Sequence, residues 1–186
     1  MRRRGFCLGI MILLLAGVAR AASEPIYDES VDAKKQIAAA IREASRRRHP
    51  ARNVVLVFGA NWCQDCRVLD AQMHEGDLAS LIAKNFVVVK IDVGRMDKNL
   101  DLAAKYGVPV RNGIPALAVL NSRGKLLYAQ DQGQFADARH MSYENIKAFF
   151  DQWKPKGRKR ANLTGLGGCM VGLLYEVVHL SDHCPA

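Results

Sequence analysis

Residues 53–66 read Asn-Val-Val-Leu-Val-Phe-Gly-Ala-Asn-Trp-Cys-Gln-Asp-Cys. Asn53 to Phe58 is apolar and β-branched on both faces, the pattern of a central strand covered on both sides. Helical spacing then begins at Cys63 and runs through Cys66, Leu69, Ala71 and Met73. The two cysteines therefore stand at a strand-to-helix turn, close enough to close a small disulfide ring. The first thiol meets the unpaired N–H groups and the positive dipole end of the helix. Both stabilise thiolate, the species that attacks disulfides. The second cysteine is more enclosed and is placed to attack the mixed disulfide and release the product.

Working outward, Val31 to Arg48 reads as a helix with Ile37, Ala40, Ile41 and Ala44 as its apolar stripe, ended by His49-Pro50. After the cysteine helix, Asp77 is expected to cap a further helix carrying Leu78, Leu81 and Ile82. Phe86 to Val93 reads as a second buried strand, and Asp97 to Tyr106 as a helix stopped by Gly107 and Pro109. Ala116 to Leu120 is a third strand. Asn121-Ser122-Arg123-Gly124 is a hairpin turn leading into a return strand, Lys125 to Ala129. Ser142 to Trp153 closes with a helix bearing Ile146, Phe149, Phe150 and Trp153 on one side. The order α-β-α-β-α-β-β-α implies parallel strands joined by helices, then one antiparallel hairpin. The class is α/β: a central mixed β-sheet covered by helices on both faces.

Trp62-Cys63-Gln64-Asp65-Cys66, following the strand Val54 to Ala60, resembles the Trp-Cys-x-x-Cys active site of the thioredoxin superfamily. Gly113-Ile114-Pro115, about fifty residues later, resembles that family's cis-proline loop. The similarity spans residues 31 to 153, in the manner of secreted single-domain members. The resemblance implies a thioredoxin-like fold with Cys63 as attacking and Cys66 as resolving thiol. It also implies a cis Pro115 against the disulfide, an Ile114 backbone that pairs with the substrate chain, and Trp62 as a flat apolar wall. It implies thiol–disulfide exchange with protein thiols and disulfides, a thiol–disulfide electron donor or acceptor as partner, and no cofactor beyond the redox-active Cys63–Cys66 pair.

Competing readings are half of a zinc site completed from Cys169, His179, His183 or Cys184 without the usual paired spacing, and a structural disulfide without turnover. The alternative at the level of function is a non-enzymatic module that holds a cysteine-bearing partner or a metal. Arg67 and His74, near the cysteine helix, read as solvated.

One departure bears on chemistry. Family members carry a buried acid in the central strand six positions before the first cysteine; here that position is Val57. Asp65, between the cysteines, competes for the positive potential at the helix start and disfavours a nearby thiolate. That makes it a pKa-modulating residue and leans the couple towards reductase rather than oxidase. A second role for Asp65 would be to take the Cys66 proton in place of the missing acid.

The ends of the chain read differently. Arg2, Arg3 and Arg4, an apolar run from Phe6 to Val18 and Ala19-Arg20-Ala21 have the form of a cleaved signal peptide, residues 1–21. The run is shorter than the roughly 20 residues a bilayer span needs, so no stable membrane anchor is expected, and the location is periplasmic or secreted. The domain occupies 22–153, a basic linker 154–160, and an apolar glycine-rich tail 161–186, in which Cys169 and Cys184 are candidates for a structural disulfide. The formal charge is +9, but it concentrates at the start and in the linker. Residues 23 to 153 hold 18 basic and 16 acidic side chains, so no nucleic-acid face is required. No resident metal is expected.

Overall fold

The structure, a computed structural model, describes residues 24–46 and 51–156. The elements are α1 (Ala33–Ala44), β1 (Asn53–Gly59), α2 (Gln64–Met73), α3 (Gly76–Asn85), β2 (Phe86–Asp92), α4 (Leu100–Lys105), β3 (Ala116–Leu120), β4 (Leu126–Ala129) and α5 (Tyr143–Trp153). Two short 3-10 turns, Val110–Asn112 and Ala138–His140, complete the set.

The four strands form one sheet in the order β2-β1-β3-β4. Every residue of β1 is buried, and its side chains alternate between two cores. Val54, Leu56 and Phe58 face the side of α1 and α4, with Ile37, Ala40, Leu102, Ala116 and Ala118. Val55 and Val57 face α2, α3 and α5, with Leu69, Leu78, Ile82, Leu117, Ile146 and Phe150. The architecture is the expected α/β class, a mixed sheet with helices on both faces. The aromatic stripe of α5 extends past the core to cover β4, where Tyr128 meets Phe149 and Trp153 at 5.2 and 5.1 Å between ring centroids.

Two strands differ from the expectation. β2 pairs parallel with β1, but at the sheet edge its Val87, Val88 and Lys90 are only half-buried. β3 runs antiparallel to β1, with Ala116 opposite Phe58, not parallel to it. The reason is length: the six-residue α4 advances only about 9 Å, whereas a seven-residue strand such as β2 covers about 23 Å. The chain never returns to the far end of the sheet, so β3 enters where β1 and β2 finish. That shared end carries the cysteine pair and the Ile114-Pro115 loop.

The helix limits also move. α1 starts after Asp32, whose carboxylate accepts the N–H groups of Lys34 and Lys35 at 2.9 and 3.2 Å, and it ends at Ala44, capped by Ser45, rather than at Arg48. The N-cap of α3 is Glu75, not Asp77. Asp77 lies within the first turn and accepts from the Tyr143 hydroxyl at 2.5 Å. The helix expected from Asp97 starts only at Leu100. Before it, Asp92 accepts from Gly94 N–H and Asp97 from Arg95 N–H, local bonds that compete with helix, and Met96 and Asn99 take positive φ.

Candidate active site

Cys63 is the N-cap of α2 in extended conformation, and its Sγ accepts the Cys66 N–H at 3.1 Å. The turn before it is closed by Cys63 N–H to the Ala60 carbonyl. The two cysteines are joined in a disulfide with 5.2 Å between their Cα atoms. Cys63 is 5% and Cys66 1% exposed, so the second sulfur is the more enclosed.

The loop before β3 faces this disulfide. The Ile114–Pro115 peptide bond is cis, both residues are buried, and the Ile114 carbonyl oxygen lies 3.4 Å from Cys63 Sγ. Trp62 is 48% exposed beside the cysteines. Its indole N–H donates to the Gly94 carbonyl at 2.8 Å, and the Arg95 guanidinium sits 5.5 Å over its ring. The structure thus brings Trp62, Cys63, Cys66, Ile114 and Pro115 together at one end of the sheet.

The family model described as Thioredoxin-like matches residues 32–122. The crystal structure of a disulphide isomerase from Xylella fastidiosa Temecula1 is 47% identical, covering 70% of this chain and 98% of that one, with a TM-score of 0.65. The chain belongs to the thioredoxin-like family. Membership, together with the Cys63–Cys66 disulfide, makes it a thiol–disulfide oxidoreductase. More distant likenesses are the reduced C-terminal domain of DsbD from Neisseria meningitidis (22% identity, 64% of this chain and 95% of that one, TM-score 0.46) and the germline-specific thioredoxin Deadhead from Drosophila melanogaster (23% identity, 64% and 90%, TM-score 0.43). No curated protein matches.

Around the family's core, the charged groups settle into specific pairs. The Asp65 carboxylate turns towards the 3-10 turn Ala138–His140 and accepts from Arg139 N–H at 3.0 Å and Arg139 Nε–H at 3.1 Å. Val57, where the family has an acid, is buried and apolar. Its partner across the ladder, Lys90, pairs at 2.5 Å with Asp70, one turn past Cys66 on α2. Arg67, expected to be solvated, instead donates from Nε to the Asn61 carbonyl at 3.1 Å and from Nη1 to the Glu24 carbonyl at 3.3 Å. His74 is exposed and bonds the Asp70 carbonyl at 2.7 Å.

Sequence reasoning missed Tyr27, Asn61 and Arg139. Asn61 had a local signal: a small amide side chain between a strand and the cysteine turn is suited to hold backbone. Tyr27 had a weaker one, an apolar pair with Ile26 inside a polar stretch. Arg139 had none, being 74 positions from Asp65. Among the described residues no group of three or more His, Cys, Asp or Glu is placed to hold a metal. Cys169, Cys184 and their expected disulfide lie outside the described residues.

Proposed function

We propose that the protein is an exported reductant of protein disulfides, with Cys63 as nucleophile and Cys66 as resolving thiol. The observation that supports disulfide exchange is the position of Cys63 Sγ at the start of α2, 3.4 Å from the Ile114 carbonyl; the reducing direction leans on the charge of Asp65 instead. Helix-start N–H groups favour a thiolate at Cys63, and the Ile114 backbone is at hand to pair with an extended substrate chain. In the forward step the Cys63 thiolate attacks a substrate disulfide. One substrate sulfur leaves as thiolate, and a mixed disulfide forms. The Cys66 thiolate then attacks Cys63 Sγ and expels the second substrate sulfur. Two electrons pass to the substrate, and the protein is left as the Cys63–Cys66 disulfide. A dedicated thiol protein regenerates the dithiol. Trp62, exposed and fixed through its indole N–H, serves as an apolar wall for the substrate segment next to its cysteine.

Asp65 supports the reducing direction through charge at the helix start. Its pairing with Arg139 moderates that effect, because the guanidinium restores part of the positive potential. The carboxylate is committed to Arg139, whereas Cys66 Sγ packs at Gly59. This favours an electrostatic role for Asp65 over acceptance of the Cys66 proton.

Export rests on the first 21 residues read as a cleaved signal, with 154–160 as a linker and 161–186 as a tail. Among the described residues no helix is long and apolar enough to cross a membrane. The deciding experiment is the redox equilibrium of the chain against glutathione buffers, followed by tryptophan fluorescence, with Cys169 and Cys184 replaced by serine in a parallel sample. A potential near the thioredoxin end of the roughly 150 mV family spread supports a reductase. One near the oxidising end makes the protein a disulfide donor or isomerase.

A further inference from the structure

A buried polar group that the exchange reaction has not yet used stands beside the disulfide. Tyr27 is 2% exposed and belongs to the core that contains Cys63 and Cys66. It is carried by the segment before α1, and residues of the cysteine turn hold that segment in place. Asn61 Oδ1 accepts the N–H groups of Ile26 and Tyr27, and Asn61 Nδ2 donates to the Tyr27 carbonyl, each at 2.9 Å. Arg67 adds the bond to Glu24.

This clamp aims the phenol at one point. A methyl group placed on Gly59, the last residue of β1, would overlap the Tyr27 hydroxyl and stand 2.8 Å from Cys66 Sγ. The hydroxyl and the resolving sulfur therefore both crowd the Cα of Gly59, filling the room that a side chain at position 59 would need. Cys66 is almost fully buried, and a buried thiolate without a donor is strongly disfavoured. Val57, which stands where the family has an acid, supplies no polar group. The two carboxylates that act on the phenol each face a lysine: Asp70 faces Lys90 on β2 at 2.5 Å, and Asp92 faces Lys98 at 3.2 Å.

We propose that the Tyr27 hydroxyl donates a hydrogen bond to Cys66 Sγ whenever that sulfur carries negative charge. This rests on the reading of Cys66 as the resolving thiol. When an incoming thiolate attacks Cys63 Sγ, the electron pair of the breaking S–S bond goes to Cys66 Sγ, and Tyr27 stabilises the departing thiolate. In the reverse sense, Cys66 loses its proton to solvent, is held as thiolate by the same bond, and attacks the mixed disulfide. No proton leaves Tyr27 in either direction. Burial first, then the negative charges of Asp70 and Asp92, hold the phenol protonated far above its ordinary range, so it acts as a donor and not as a base.

The test uses the full chain with Cys7, Cys169 and Cys184 replaced by serine, reduced and mixed with dithiobis-nitrobenzoate. Attack by Cys63 releases one coloured thiolate; displacement by Cys66 releases a second, later one. A hydrogen bond to a charged sulfur moves the midpoint of the second phase's pH profile by about one pH unit or more. Tyr27→Phe is therefore expected to raise that midpoint. Below the midpoint the second phase slows about threefold, because a tenfold loss of thiolate is partly offset by the greater nucleophilicity of a more basic sulfur. The first phase stays within about twofold, since Cys63 keeps its own donor, the Cys66 N–H. A packing defect alone does not produce this crossing of pH profiles. An unchanged second-phase midpoint in folded Tyr27→Phe overturns the proposal. If that variant fails to fold, 3-fluorotyrosine at position 27, a more acidic phenol of nearly the same size, decides. A lowered midpoint supports the proposal and an unmoved one overturns it. Absence of any second phase in the parent overturns the assignment of Cys66 itself, a result separable from a Tyr27 effect.

Discussion

Asn61→Ala tests how the N-terminal segment is attached to the site. The side chain makes three bonds to the backbone of residues 26 and 27, each at 2.9 Å, plus one to the Glu29 carboxylate at 3.0 Å. A neutral hydrogen bond contributes about 1 kcal/mol net, and the freed backbone groups at this half-buried position regain some water, so the loss is about 2 kcal/mol. For a domain of this size that is a fall in Tm of about 6 °C, taking about 3 °C per kcal/mol. The assay is thermal unfolding, with native-state hydrogen exchange at the Ile26 and Tyr27 amides. Those two amides are expected to lose protection well before the strands, because the bonds removed hold only this segment. A Tm within 1 °C of the parent (about 0.3 kcal/mol), with exchange at both amides unchanged, would refute the clamp. So would a uniform rise in exchange over β1 and β3, since that would make Asn61 part of the global core rather than a local tie.

Further expectations follow from the same geometry. Cys66→Ser is expected to accumulate a mixed disulfide through Cys63, seen as a thiol-sensitive shift on a gel, whereas Cys63→Ser forms none; a stable adduct through Cys66 would reverse the roles. Asp65→Ala leaves Arg139 unopposed beside the start of α2, so the Cys63 thiol pKa is expected to fall and the couple to become more oxidising. Thiolate ultraviolet absorbance against pH reads this directly, and an unchanged titration removes Asp65 from the electrostatics of the site. The Tyr143 hydroxyl, followed by Lys147, holds the Asp77 carboxyl below its usual range. A carboxyl depressed in the folded state stabilises above its unfolded pKa of about 3.9 and loses that contribution as pH falls through the folded value. Tyr143→Phe should therefore lower Tm most above about pH 4 and less in more acid solution. A constant residual difference is expected from the lost bond to Leu78 N–H at 3.0 Å. A Tm difference that widens in acid would contradict the assigned partner.

What could be read from the sequence was what local patterns encode. The strand Asn53 to Phe58 was legible because unbroken burial leaves a continuous apolar run. The cysteine turn was legible because a strand, a two-residue spacing and a resumed helical period are all short-range. The last helix was legible within one residue, because Ile146, Phe149, Phe150 and Trp153 recur at helical spacing; Ser142, read as its first residue, is its cap.

Tertiary structure decided whatever depends on where distant segments end up. The direction of β3 followed from a helix too short to recross the sheet, and the length of that helix from Met96 and Asn99 at positive φ, which periodicity does not register. Asp65 has the same place in the first turn of α2 either way, but the partner that sets its charge balance, Arg139, arrives from 74 residues along the chain. Tyr27 and Cys66 meet at Gly59 because Asn61 ties two backbones together and glycine has no side chain to hold them off. A one-dimensional pattern can say that a thiol pair sits at a helix start; which buried donor faces its second sulfur is set by three-dimensional packing alone.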